Sequence, residues 1–176
     1  MAAGISIRRA TVADAATLAK CRYAFRARSN VATQGQIESQ AAFVARATVA
    51  IERHLVSGVW HAWIAEHESR VIGHVFLQII EKLPNPSAGE PELLGYLTSF
   101  FVDAALRDQG VGSALLDELE RQAAALGVEK ILIVGTTERS RPLYARRGFR
   151  QTPDLLQKRV AARAAKGGAV AVAHDV

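Results

Sequence analysis

Cysteine is nearly absent from this 176-residue sequence: Cys21 is the only one. A single thiol excludes an intrachain disulfide and a zinc site built from several cysteines. Cys21 stands three residues after Leu18 and four before Phe25, on the apolar face of an expected helix, where a free thiol packs as a small hydrophobe. Long apolar runs are also missing, and none approaches the roughly 20 residues that cross a bilayer. The first residues, Met1 to Arg9, lack the apolar stretch of a secretory leader. No membrane partner and a cytoplasmic location are therefore expected. His54, His61, His67 and His74 do not fall at metal-ligand spacing and have no accompanying carboxylate pattern, so packed or surface histidines and no metal are expected. No serine sits in a nucleophile-elbow motif, which argues against a covalent acyl-enzyme. Net charge is +5, yet there is no basic stripe with interleaved aromatics, so nucleic acid is not an expected partner.

What is present suits one packed domain. Hydrophobic residues make up 49% of the chain, enough for a sizeable core at this length. The domain is expected over residues 4–160, followed by an Ala- and Gly-rich tail, 161–176, without strong periodicity and expected to be mobile. Positive charge is scattered except for a cluster of arginines between Arg139 and Arg150.

Periodicity orders the elements. Ile5–Arg9 alternates as a first strand, and Thr11 or Asp14 caps a helix reaching about Phe25. Arg26–Gly35 reads as polar and irregular. Ile37, Ala41, Val44, Thr48, Ile51 and Leu55 recur at steps of three and four, a second helix ended by Ser57-Gly58. Val59–Glu66 and Val71–Glu81 are strands of an antiparallel hairpin. A proline-rich loop, Leu83–Pro91, leads to the long strand Leu93–Val102. Strict alternation there places Leu97, Ser99 and Phe101 on one face and Thr98, Phe100 and Val102 on the other; both are largely apolar, as in a central strand. A helix from Gly110 to about Leu126, closed by Gly127, precedes a short strand, Lys130–Val134. A helix over Glu138–Arg147, closed by Gly148, and a last strand within Leu155–Val160 complete the order.

Two segments carry chemistry. Arg107-Asp108-Gln109-Gly110-Val111-Gly112-Ser113 leaves the long strand and enters a helix. Glycines at that spacing permit a tight turn whose N–H groups point outward at the positive end of a helix dipole, a place where phosphates bind. Downstream, Leu143-Tyr144-Ala145-Arg146-Arg147-Gly148-Phe149 follows the next strand. In this order the two segments resemble the GNAT superfamily of acyl-CoA-dependent N-acyltransferases, whose loop reads Arg/Gln-x-x-Gly-x-Gly/Ala and whose later segment reads Leu-Tyr-x-x-x-Gly-Phe. The specific motifs lie within Leu93–Phe149. One departure is Ala104, where relatives often have proline.

The resemblance implies an α/β fold (α+β): a mixed, mostly antiparallel central sheet of about six to seven strands, flanked by about four helices. A splayed parallel strand pair within it binds CoA. It implies acetyl-CoA as acyl donor. Backbone N–H groups of Asp108, Gln109, Gly110, Val111, Gly112 and Ser113, with Arg107, would hold the pyrophosphate; Phe100, Phe101 and Val102 would bond the pantetheine arm. Thr137 takes the place of a frequent Asn and offers a hydroxyl. Tyr144 is the implied general acid: a phenol with a pKa near 10 keeps its proton at neutral pH and can give it to a departing thiolate. Many relatives carry a basic carboxylate on the long strand, and this strand has none. Glu92, ahead of Glu90, is the candidate base, directly or through water ordered by Tyr96, Thr98 or Ser99. Asp103 is expected to face the phosphate loop. The implied activity is direct acetyl transfer to a small-molecule or protein amine, with a homodimer as a possible assembly. The missing strand carboxylate leaves open a non-catalytic acyl-CoA sensor of the same fold.

Overall fold

The computed structural model describes residues 4–31, 38–84, 86, 91–134 and 136–152, apart from the side chains of residues 27–31. The expected last strand, the tail and Glu90 lie outside the described residues. Five strands, β1 (Ile5–Arg9), β2 (Trp60–His67), β3 (Arg70–Glu81), β4 (Leu93–Val102) and β5 (Lys130–Ile133), form one sheet in that order. The first three pairings are antiparallel and β4–β5 is parallel. Four helices flank it: α1 (Ala15–Val31), α2 (Gln40–Val56), α3 (Val111–Ala125) and α4 (Arg141–Arg146). The architecture is the expected mixed α/β sheet, with fewer strands described than the six to seven expected.

Local chemistry explains the boundaries. Asp14 Oδ2 accepts the Thr11 N–H at 2.7 Å, fixing the 3-10 turn that opens α1. Glu68 and Ser69 both have positive φ, 49° and 62°, the geometry that lets a two-residue turn join the β2–β3 hairpin. Two elements differ from expectation. α1 continues past Phe25 to Val31, because its arginines and alanines favour helix and no glycine or proline interrupts them. α4 begins only at Arg141, with Glu138–Ser140 forming a turn, because Pro142 is tolerated only in a helix's first turn.

Each face of the sheet has its own core. On one face, Leu115, Leu116 and Leu119 of α3 pack on Trp63, Val75, Leu77 and Leu97. On the other, Leu18 and Ala19 of α1 and Ala47 and Ile51 of α2 pack on Ala62, Ile64 and Phe76. Of the histidines, His74 is fully buried and His61 nearly so, while His54 stacks beside Trp60 with ring centroids 4.8 Å apart. No metal-binding cluster occurs among the described residues.

Candidate active site

The site begins with an irregularity in β4. Pairing with β3 runs from Glu81↔Leu93 to Phe76↔Thr98, then resumes at His74↔Phe101. The extra residue makes a bulge, and Ser99 takes φ 52°, a left-handed conformation that a serine rarely adopts. Simple alternation therefore fails beyond Thr98. Phe101 lies on the α1 face, 6.2 Å from the Phe25 ring and 5.6 Å from His74. Phe100 and Val102 lie on the α3 face, against Gly112. Ser99 Oγ sits 3.2 Å from His74 Nε2, and both residues are buried.

The second irregularity is a parting of strands. The β4–β5 ladder ends at Leu97↔Ile133, so Thr98–Val102 has no strand partner on that side among the described residues. A cleft of about 650 Å³ opens there, within the size range of small-molecule and cofactor sites. Its walls come from Phe100, Phe101 and Val102 of β4, the loop into α3, the turn and first residues of α4, and Phe25 of α1.

The loop supplies the donors. Gly110 has φ 85°, which favours glycine, and turns the chain into α3. The Ala114 N–H bonds Gly110 O at 3.0 Å. The N–H groups of Val111, Gly112 and Ser113 precede that bond and have no intrahelical acceptor. They stand at the positive end of a 15-residue helix, where negative charge is favoured. A Cβ on Gly112 would come within 3.1 Å of Phe100 Cζ, so a larger residue there would push that ring by a few tenths of an ångström.

The other expected residues fall as follows. Arg107, Asp108, Gly110, Gly112, Ser113 and Thr137 line the cleft together with the β4 residues. Arg107 Nε also donates to Val102 O at 3.1 Å, tying the loop to the end of β4. The Asp108 side chain is 90% exposed and meets Arg139 at 3.3 Å. Gln109 turns away and donates to Ala105 O, while the Val111 side chain belongs to the core. Thr137 and Ser140 bond each other's backbone N–H at the start of α4. Asp103 caps the 3-10 turn Ala104–Leu106 and pairs with Arg70. Glu92 is exposed just before β4, beside neither the cleft nor the bulge; six residues of strand put it about 20 Å from Thr98.

Tyr144 stands one layer behind the wall. Its ring packs on Phe100 at 6.0 Å and Phe149 at 5.4 Å, and its neighbour Leu143 lines the cleft. Burial pushes the Tyr144 phenol up to about 12, so it holds its proton throughout the neutral range. His74 moves the other way. Burial, then the nearby Arg22 charge, lowers it to about 3 and keeps the imidazole neutral.

Comparison with known proteins agrees with this geometry. The sequence model of the Acetyltransferase (GNAT) family matches residues 33–149. The chain belongs to that family. Three solved structures share the fold. A predicted acetyltransferase from Clostridium acetobutylicum, solved with acetyl-CoA, is 22% identical with a TM-score of 0.72, covering 88% of this chain and 96% of that one. A GCN5-related N-acetyltransferase from Ralstonia eutropha is 23% identical with a TM-score of 0.70, over 88% and 98% of the two chains. An aminoglycoside acetyltransferase from an uncultured soil metagenomic sample is 19% identical with a TM-score of 0.67, over 93% and 100%.

The arginine cluster, which the GNAT resemblance puts at the cofactor's end of the fold, contributes Arg139 and Arg146 to the cleft wall. Sequence reasoning missed one part of this site. Phe25 left no signal, because its part depends on α1 crossing the end of β4.

Proposed function

We propose that this GNAT protein is an N-acetyltransferase that moves an acetyl group from acetyl-CoA to a primary amine by direct attack in a ternary complex. The observation that carries the reading is the cleft where β4 leaves β5, with the unpaired N–H groups of Val111, Gly112 and Ser113 at its edge. These groups suit a pyrophosphate. The open edge of Thr98–Val102 offers backbone groups to an extended amide-bearing arm. Arg107, Arg139 and Arg146 set a positive field suited to a polyanion.

Acetyl-CoA supplies the activated thioester. The chain's own part is to bind, orient and move protons. The bulge at Ser99 fixes where the arm turns toward the α1 face. The amine nitrogen forms the new C–N bond, the C–S bond breaks, and Tyr144 is the group we assign to protonate the departing sulfur. The proton released by the nitrogen leaves to solvent, since Glu92 lies about 20 Å along β4 from Thr98, beyond the reach of a bridging water. Products are the acetylated amine and CoA thiol.

A CoA-release assay over a panel of amines, with Tyr144→Phe beside the wild type, tests this. Turnover that falls on the order of a hundred-fold or more in the variant supports it; equal turnover removes Tyr144 from the reaction. The second reading, an acyl-CoA sensor, draws on one observation. Among the described residues Asp108 is the only carboxylate lining the cleft, and it sits at the phosphate loop. Acetyl-CoA binding without transfer to any amine would favour the sensor.

A further inference from the structure

A second cavity, of about 260 Å³, lies between α1, α2 and the sheet. It is walled by Phe43, Trp60 and Phe76, its charged lining is Arg22 and Arg46, and its floor is Thr98 and Ser99 of the β4 bulge. It abuts the cleft. Ser99 and Phe100 are consecutive, the first lining the cavity and the second the cleft. On α1, Arg22 lines the cavity and Phe25, one helical turn on, lines the cleft. A cavity of this volume has room for a small metabolite and not for a folded chain.

The charges in this cavity are unequal. Arg46 is already paired, with Nη2 2.6 Å from Glu38 Oε2. Arg22 has no ion pair or hydrogen bond among the described residues. It is half-buried on α1, and burial disfavours its charge while Arg26 adds repulsion. Among the described residues no carboxylate lines the cavity. A guanidinium kept partly out of water without an acid is costly, and an anion bidentate on its fork offsets that cost. A polycation would meet two guanidiniums and no acid.

We propose that this cavity is the acceptor pocket and that Arg22 reads an anionic group there, so the acceptor is a small amine that also carries a carboxylate, its apolar part against Phe43, Trp60 and Phe76. The inference rests on the acetyltransferase reading and goes beyond it in naming the substrate class. Arg22 holds the acid end, and the amine end points to the bulge where cavity and cleft meet. The net positive lining also favours the unprotonated amine, the form that attacks.

The test uses matched probes. L-phenylalanine and L-leucine are compared with their carboxamides and with spermidine. Each is titrated calorimetrically into the CoA-loaded full chain and assayed for CoA release with acetyl-CoA. The proposal expects the acids to bind more tightly than the carboxamides by about ten- to a hundred-fold, and spermidine to bind weakest. Arg22→Gln should bring the acid-to-carboxamide ratio near one. Arg22→Lys, which keeps the charge but loses the fork, should give an intermediate ratio. Thermal melts of both variants separate loss of fold from loss of recognition. Acids binding no better than carboxamides, tighter binding of spermidine, or an unchanged ratio in Arg22→Gln overturns the proposal. Failure of acetyl-CoA itself to bind overturns the acetyltransferase reading instead; acid-selective binding without CoA release supports the pocket and counts against turnover.

Discussion

Single residues carry the sharpest consequences. Tyr144 is buried and its phenol stays protonated, so its replacement by Phe conserves the ring and its packing while removing the hydroxyl that gives the proton. Acetyl-CoA affinity in Tyr144→Phe is expected within a few-fold of wild type, with the loss confined to turnover. His74 gives a pH prediction. Its folded pKa, about 3, lies below the ordinary imidazole value of 6.5, so the unfolded chain takes up the proton first as pH falls. The stability it contributes is complete above pH 6.5 and is lost between about 6.5 and 3, with a slope of up to about 1.4 kcal/mol per pH unit. Denaturant titrations across that range should show the slope, and His74→Leu should flatten it. Ser99 and Arg22 are the polar and charged groups around that ring. Asp108 gives a prediction of opposite sign. It sits at φ 61°, which Asn also tolerates, and its charge stands beside the phosphate loop. Asp108→Asn should keep the turn and tighten CoA binding a few-fold by titration; weaker binding would count against an anion at this loop.

At the scale of elements, the site is the place where two strands part and a helix begins. Gly73 of β3 shows how tightly the bulged end of β4 is held: a Cβ there would lie 2.9 Å from Phe101 O and 3.2 Å from Leu115 Cδ1. Gly73→Ala is expected to shift β4, destabilise the fold by roughly 1–3 kcal/mol and weaken CoA binding with it. A melt and a titration on that variant check the coupling; a stable variant with unchanged affinity would show that the bulge does not shape the cleft. The element order was largely legible in the sequence. β1, β4 and the glycine-ended α3 lie where apolar spacing and punctuation put them. The end of α1 was not, since Arg26–Val31 looks polar yet is made of residues content in a helix. The bulge was not either. A serine at positive φ leaves no mark in an alternating apolar run, and from there the facing of Phe100, Phe101 and Val102 reverses. The phosphate loop was legible because glycine spacing is local. The cavity around Arg22 was hidden because it joins α1, α2 and three strands far apart in sequence.

Over the whole molecule, the net charge of +5 and the orphan N–H groups at α3 suit the polyanionic cosubstrate proposed above. Among the described residues no helix is long and apolar enough to cross a membrane. The cavity and the cleft are lined by consecutive residues of β4, Ser99 and Phe100. Saturating ligand should stabilise the fold by mass action, about 2.7 kcal/mol at a hundred times the dissociation constant. The most direct test of the central claim is a calorimetric titration of acetyl-CoA into the wild type and into Gly110→Asp, which puts a carboxylate at the mouth of the loop. The account predicts one site per chain in the wild type, and an affinity reduced at least about ten-fold in a variant that still melts cooperatively. No binding to the wild type, or equal affinity in the two proteins, would contradict it.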